Sequence, residues 1–269
     1  MRLALWPAFV LLAGCSAPEE PVADNPQPPA PPAYTHQYAP SLNLDIHTPE
    51  GDGPFPTVIL IHGGGWMGGS RGQLAEHSKR LNAKGLAAVS IDYRLAPQNV
   101  WPAQIDDCET AVKWIRENGA QYKLKTDKLV SAGESAGGHL SMWLAAKGDV
   151  QAVGSVSGLH DLTLPMTPAG EKYEIVQRTL GEDYPAGIKA FSPLLAYKAG
   201  MPPVFFIHGK KDPLVPIDHS TKAAERLKEL GIAEKVILLP EMGHGFGFQT
   251  DDEKKAWDEF ADWSLAQLK

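Results

Sequence analysis

Short apolar runs that alternate with helical patterns constrain the fold of this chain most strongly. From Ile105 to Ile115, apolar residues recur at intervals of three, four and three positions, which is typical of one face of a helix. This alternation predicts a parallel β-sheet with helices on both faces, so the fold class is α/β. Six strands are predicted, at residues 57–61, 86–91, 128–132, 152–156, 204–207 and 236–239.

The charge and the cysteine count exclude several classes of protein. The 269 residues carry 25 Lys and Arg against 32 Asp and Glu, which gives a formal net charge of −7. An acidic balance argues against nucleic-acid binding, which requires basic patches. Two cysteines, Cys15 and Cys108, are too few for a disulfide framework or a cysteine metal cluster. The histidines lack a metal-ligand spacing such as H-E-x-x-H, so we expect neither a catalytic metal nor another cofactor.

The first fifteen residues have the pattern of an export signal. Arg2 precedes a mostly apolar run over residues 3–12, and small residues lead to Cys15. The segment Leu-Ala-Gly-Cys at 12–15 is similar to the lipobox of bacterial lipoproteins. That resemblance implies cleavage before Cys15 and lipidation of its thiol, and hence a membrane anchor at the cell envelope. A plain signal peptide, which would give a secreted protein, and a buried helix are the alternatives.

The next segment predicts an extended tether. Residues 16–33 hold seven of the 23 prolines and no aromatic residue, so they cannot bury enough surface to offset their ordering entropy. We therefore predict a signal peptide at 1–14, a lipidated cysteine and tether at 15–33, and one folded domain at 34–269.

One glycine-flanked serine lies where a strand is expected to turn into a helix. Residues 133–137 read Gly-Glu-Ser-Ala-Gly and match the G-x-S-x-G nucleophile elbow, which exposes the hydroxyl of Ser135. A second match at 68–72 places Ser70 after a glycine loop, and Gln73 would complete a capping box with it. Ser70 therefore indicates a helix start. Ser135 is the candidate nucleophile, and a close-packed strand–helix turn is the alternative.

A glycine-rich segment follows the strand predicted at 57–61. Residues 62–66 read His-Gly-Gly-Gly-Trp, and consecutive glycines let backbone N–H groups approach a developing oxyanion closely. The segment 63–68 also fits the dinucleotide-binding pattern G-x-G-x-x-G, with Asp92 lying 24 residues after Gly68. The bulky Trp66 inside the loop and the late helix start at Ser70 argue against this alternative.

Two C-terminal loops each place a polar residue after a predicted strand. Asp212 follows the strand at 204–207, and His244 follows the strand at 236–239. A serine hydroxyl becomes an effective nucleophile when an imidazole takes its proton and a carboxylate orients the imidazole. Ser135, His244 and Asp212 are therefore a predicted catalytic triad. Asp161 is the alternative acid because it also follows a strand.

Taken together, these motifs resemble those of the α/β-hydrolase esterases, in particular the hormone-sensitive-lipase-like and bifunctional feruloyl/acetyl esterase branch. The resemblance covers about residues 55–250 and also includes the segments at 92–97, 212–216 and 243–246. It implies an eight-stranded sheet with one antiparallel strand. It also implies that Ser135 is the nucleophile, His244 the base and Asp212 the acid. The amides of Gly64 or Gly65 and of Ala136 would bind the oxyanion. His62 would support the glycine loop, and Arg94 would have a structural role.

The predicted function is that of a serine esterase. A short cap insert at 159–200 leaves little chain for a large lipase lid, which favours short acyl or aryl esters over long-chain lipids. The resemblance alone implies acetyl or feruloyl groups on a polysaccharide as substrates. Four side chains on loops at the active end are candidates for an acyl pocket, with ordinary packing as the alternative for each: Trp66, Met67, His160 and Phe246.

Other functions remain open at this point. An arylformamidase or a peptidase would use the same triad, although an export signal disfavours a cytosolic amidase. A non-catalytic binding lipoprotein that kept the fold is the alternative from another class. The intact serine, acid and base argue against that reading.

Overall fold

Eight strands form a single sheet in the computed structural model, which describes residues 34–164 and 174–269. All six predicted strands are present, and two further strands precede them. The predicted signal peptide, Cys15 and the tether lie outside the described residues. The strands are β1 (Tyr34–Ala39), β2 (Leu42–His47), β3 (Phe55–Ile61), β4 (Ala87–Ile91), β5 (Leu124–Glu134), β6 (Ala152–Val156), β7 (Val204–Gly209) and β8 (Glu234–Leu239).

The order across the sheet is β1-β2-β4-β3-β5-β6-β7-β8. Strand β2 pairs antiparallel with both of its neighbours, β1 and β4. All other neighbouring strands are parallel. A single strand therefore runs against the other seven, which confirms the expected eight-stranded topology.

Helices cover the sheet on both faces. The described helices are α1 (Ala75–Ala83), α2 (Ala103–Asn118), α3 (Ala136–Lys147), α4 (Glu174–Leu180), α5 (Ile188–Phe191), α6 (Asp218–Glu229) and α7 (Asp251–Gln267).

The central strand β3 shows how the two faces are built. Ile59 and Ile61 belong to a core that α2, α3 and α6 cover, whereas Val58 and Leu60 belong to a second core under α1 and α7. Both alternating sets of side chains on β3 are fully buried, as expected for a parallel sheet with helices on each side. Because the carboxyl ends of parallel strands share one edge, the loops after β3, β5, β7 and β8 meet there.

A short insert lies between β6 and β7. We call its described part, residues 159–164 and 174–200, the cap. A helix is predicted near residues 171–180, and α4 is described from Glu174 onward. Within residues 34–164 and 174–269, no helix is long and apolar enough to cross a membrane.

A histidine in α1 is buried among aromatic side chains. The ring of His77 packs edge-on against Trp257, with ring centroids 4.9 Å apart, and against Phe248 at 4.7 Å. Burial, together with the nearby charge of Arg80, lowers the pKa of His77 from 6.5 to about 4. The side chain is therefore held in its neutral form in the native state.

We expect the free energy of unfolding to fall as the pH drops from 6.5 towards 4. In that window the unfolded chain binds a proton at residue 77 and the native chain does not, so acid favours unfolding. At about 1.4 kcal/mol per pKa unit, His77 alone accounts for roughly 3 kcal/mol of this loss. Denaturant unfolding of the wild type and His77→Phe at several pH values measures it. An equal pH dependence in the two proteins would contradict the assignment.

Candidate active site

Ser135 lies at the sharp turn between β5 and α3. Its φ of +54° is unusual for a residue with a side chain, and the backbone is held there by a 2.8 Å hydrogen bond from its N–H to the Val156 carbonyl. A Cβ on Gly137 would come within 2.0 Å of the Ile61 carbonyl oxygen. The glycine of the motif is thus required for the close approach of helix and strand. The turn has the strand–helix setting expected of a nucleophile elbow.

The structure brings together the three residues of the predicted triad. Nε2 of His244 lies 3.0 Å from Oγ of Ser135, and Nδ1 of His244 lies 2.8 Å from Oδ2 of Asp212. Since a carboxylate only accepts hydrogen bonds, Nδ1 carries the imidazole proton. Nε2 is then free to accept a proton from the serine hydroxyl, which is the arrangement that nucleophilic catalysis needs.

Asp212 is fixed by the turn in which it lies. Its Oδ1 accepts the backbone N–H groups of Leu214 at 2.9 Å and Val215 at 2.8 Å. Burial raises the pKa of this carboxyl group, but interactions with His208, His244 and the Val215 N–H outweigh it and bring the pKa well below its ordinary value. Asp212 is therefore ionised and can stabilise the positive charge that the imidazole of His244 acquires.

Two residues that the sequence offers as alternatives have other partners. Oδ1 of Asp161 accepts hydrogen bonds from the backbone N–H and the hydroxyl of Thr163. The carboxylate that contacts His244 is that of Asp212. The N–H of Ser70 donates to Oε1 of Gln73 at 3.3 Å, at the start of a short 3-10 helix. Ser70 thus begins a helical turn, as the sequence indicates.

The glycine loop, residues 62–66, lies directly beside the nucleophile. A Cβ on Gly63 would be 3.4 Å from the Cβ of Ser135, and both Gly64 and Gly65 have positive φ, at 106° and 59°. Ala136 directly follows Ser135 and is the first residue of α3, where backbone N–H groups have no acceptor within the helix. The amides expected to bind an oxyanion thus belong to the residue after Ser135 and to the two residues after Gly63, which approaches Ser135 closely.

Aromatic and charged contacts support the two loops beside the site. The ring of His62 stacks on Tyr93 with centroids 4.2 Å apart, and the Tyr93 hydroxyl donates to the His62 carbonyl at 3.1 Å. Arg94 makes a two-pronged ion pair with Asp107, with N–O distances of 2.7–3.0 Å. These contacts support the roles that the sequence resemblance implies for His62 and Arg94, which stay predictions.

Three of the four candidate pocket residues lie in the core instead. Trp66 and His160 are 0% exposed and Phe246 is 4% exposed, so none of them lines an open cleft. Their large rings are buried by packing and hydrogen bonding: the Trp66 indole donates to His139, and His160 bonds Ser155. Met67 keeps a partly exposed side chain.

Two residues beside the site are not identified by sequence reasoning. Glu134 precedes the nucleophile, and burial raises its pKa even though its carboxylate accepts the N–H of Phe246 in the histidine loop. Ile175 of α4 packs so closely on the glycine loop that a Cβ on Gly65 would lie 2.0 Å from its Cδ1. No local pattern marks either contact, because each depends on how separate loops are folded together.

Comparison with known proteins shows the family of this chain. Residues 44–227 match the BD-FAE family model. The chain belongs to the BD-FAE family. The eight-stranded sheet and the matched solved structures confirm the predicted α/β-hydrolase fold.

This BD-FAE chain is similar to several esterases. Esterase LipC of Mycobacterium tuberculosis is 32% identical over 216 residues, which cover 72% of this chain and 53% of LipC. Versiconal hemiacetal acetate esterase of Dothistroma septosporum is 30% identical over 81% of this chain and 76% of its own length. The propionate-bound structure of a thermophilic esterase from Thermogutta terrifontis is 25% identical and covers 88% of this chain and 95% of its own, with a TM-score of 0.74. The chain spans about half the length of the first curated relatives that it matches.

Proposed function

We propose that this chain is a serine carboxylic-ester hydrolase that uses Ser135, His244 and Asp212 as its catalytic triad. The unbroken line of hydrogen bonds from Oγ of Ser135 through His244 to Asp212 carries the proposal. Relatives whose names describe them as esterases support the same reaction class.

In the proposed mechanism, Oγ of Ser135 attacks the ester carbonyl while Nε2 of His244 takes its proton. Asp212 stabilises the imidazolium that forms, and backbone amides at Gly64 or Gly65 and at Ala136 bind the oxyanion, each worth roughly 3–4 kcal/mol. His244 then protonates the departing alcohol, leaving an acyl-enzyme. A water molecule, deprotonated by His244, attacks the acyl group, and the carboxylic acid and free Ser135 are released.

Covalent labelling tests the nucleophile directly. A fluorophosphonate probe should form an adduct on the peptide that contains Ser135, and Ser135→Ala should abolish it. Ser70→Ala is the matched control, because Ser70 lies in the second G-x-S-x-G match but begins a helical turn. A wild-type chain that resists the probe, or a Ser135→Ala chain that still reacts, would end the proposal.

We propose short acyl or aryl esters as substrates, with acetyl or feruloyl groups on a polysaccharide as the specific candidates. The short cap and the partly exposed Ile175 beside Gly65 support a small acyl site. The family and the acetate esterase relative support the acyl type.

We expect kcat/KM for nitrophenyl esters to be highest at two to four acyl carbons and to fall at least about tenfold by eight carbons, since the further methylenes would clash with the walls of a small acyl site. A chain-length series measures this, and a screen of acetylated and feruloylated sugars follows. An aryl formamide and a peptide serve as comparison substrates, and faster turnover of either would replace the ester assignment. A maximum at long acyl chains would contradict the small acyl site.

We also propose that the chain is anchored at the bacterial cell envelope through lipid on Cys15. The apolar run and the lipobox-like segment at 12–15 support this. In cells fed radiolabelled palmitate, the full chain should incorporate label and Cys15→Ala should not. Cys108→Ala is the matched control, because the thiol of Cys108 is buried within α2. Label that persists in Cys15→Ala would refute the anchor.

A further inference from the structure

A fully buried histidine connects the glycine loop to the cap. Nε1–H of Trp66 donates to Nδ1 of His139 at 3.2 Å, and Nε2 of His139 lies 2.7 Å from the carbonyl oxygen of Phe191. Trp66 ends the glycine loop, His139 lies in the first turns of α3, and Phe191 ends α5 of the cap. All three side chains are completely buried. One imidazole therefore joins three elements: the glycine loop, α3 and the cap.

The protonation state of this imidazole is determined by its partners. An indole N–H can only donate, so Nδ1 must accept, and a carbonyl oxygen can only accept, so Nε2 must carry the proton. Burial lowers the pKa of His139 to about 3, so the ring is neutral and keeps one donor and one acceptor at ordinary pH. Both of its hydrogen-bonding atoms are thus used, and replacing the ring leaves at least one buried partner unsatisfied.

The backbone of Trp66 depends on this anchor. Trp66 has a φ of +60°, which a residue with a side chain rarely adopts, and it directly follows the amides of Gly64 and Gly65. Its carbonyl accepts the N–H of Ala96 at 2.9 Å, so separate parts of the chain hold its side chain and its backbone. Because Trp66 is the next residue after Gly65, we expect a rotation of the indole away from His139 to displace the backbone amides of the two glycines.

The cap touches the same loop a second time. Cδ1 of Ile175 in α4 fills the space beside Gly65, as described above. The oxyanion side of the site is therefore held between α3 and the cap, and not by β3 alone.

We propose that His139 is a positioning residue that holds the glycine loop in its oxyanion-binding conformation by joining Trp66 to the cap carbonyl of Phe191. The inference rests on the proposed esterase function and extends it, because it makes the position of the oxyanion-binding amides depend on a contact with the cap. Loss of the contact should weaken binding of the transition state more than binding of the substrate.

Paired substitutions in one aromatic cluster test the proposal. Trp66→Phe removes the indole donor to His139, and His139→Leu removes both hydrogen bonds. Trp143→Phe is the matched control: its Nε1–H donates to the same Phe191 carbonyl at 3.4 Å but makes no hydrogen bond to the glycine loop. The measurements are kcat and KM on a short-chain ester, affinity for a boronic acid transition-state analogue, and Tm.

We expect Trp66→Phe and His139→Leu to lower kcat by about 10–100-fold and to change KM by less than about threefold. The loss of kcat should be smaller than that caused by complete loss of an oxyanion donor, because the amides are displaced and not removed. Affinity for the boronic acid should fall in the same proportion. Trp143→Phe should keep kcat within about twofold, whether or not its Tm falls. His139→Gln, which retains a donor and an acceptor, should recover much of the loss.

Three results would overturn the inference: a Trp66→Phe enzyme within about threefold of wild type, an equal loss of kcat in Trp143→Phe, or a loss of kcat with unchanged affinity for the boronic acid. These outcomes leave the proposed function intact, because the unsubstituted enzyme is active in the same assay. An unsubstituted protein without ester turnover would overturn both.

Discussion

Replacement of Ser135 by alanine should lower kcat for ester hydrolysis by about 10⁶-fold, the loss typical of a serine hydrolase without its nucleophile. The hydroxyl is the only group that lies 3.0 Å from Nε2 of His244 in the described part of the chain, so no acyl-enzyme can form without it. Residual activity should remain above the uncatalysed rate, because the oxyanion amides are backbone groups that the substitution leaves in place.

Steady-state kinetics on a short-chain nitrophenyl ester, with KM and Tm measured beside kcat, provide the comparison. KM should change little, since substrate contacts other than the hydroxyl are retained. Ser70→Ala should match the wild type. A Ser135→Ala protein that keeps more than about one per cent of wild-type kcat would exclude Ser135 as nucleophile.

The triad could be predicted from the sequence because each member lies at the end of a strand. In a parallel sheet those ends share one edge, so positions 135, 212 and 244 converge even though they are far apart along the chain. Local features also separate the triad residues from the two alternatives. Ser70 does not directly follow a strand, and the carboxylate of Asp161 accepts a hydrogen bond from Thr163. Strand ends and capping signals depend on neighbouring residues, so they can be recognised from one sequence.

The first two strands are not among those predicted, although β2 has the pattern of a strand. Leu42, Leu44 and Ile46 alternate with polar residues, which is typical of a strand with one apolar face. The six predicted strands are instead mostly apolar runs, a pattern typical of strands that are buried on both faces. Asp45 on the second face of β2 is also buried, where it pairs with Arg71 at 2.9 Å, a contact between separate elements.

The pocket could not be predicted in the same way. Trp66 follows three glycines in a loop, and loop spacing does not determine whether a side chain points into the cleft or into the core. The structure buries it because His139 offers an acceptor and Phe191 a ring 4.8 Å away, both from other elements. The contact of Ile175 with Gly65 likewise depends on where the cap folds.

Asp212→Asn should lower kcat by about 10⁴-fold while leaving the fold intact. The structure gives the reason. Oδ1 of Asp212 accepts the N–H groups of Leu214 and Val215, so an asparagine must place its carbonyl oxygen there and turn its NH₂ group towards His244. That NH₂ group donates to Nδ1, which must then accept, so the imidazole proton moves to Nε2. An imidazole protonated at Nε2 cannot take the proton of Ser135.

Asp161→Asn is the matched control, because the oxygen of that carboxylate bonds Thr163 and not His244. It should retain wild-type kcat, whereas Asp212→Asn should lose activity while remaining folded, because both backbone N–H groups remain satisfied. Rates of fluorophosphonate labelling should fall in parallel with kcat, since both depend on activation of the same hydroxyl. A loss of less than about tenfold in Asp212→Asn, or an equal loss in Asp161→Asn, would show that the imidazole is oriented by a group other than Asp212.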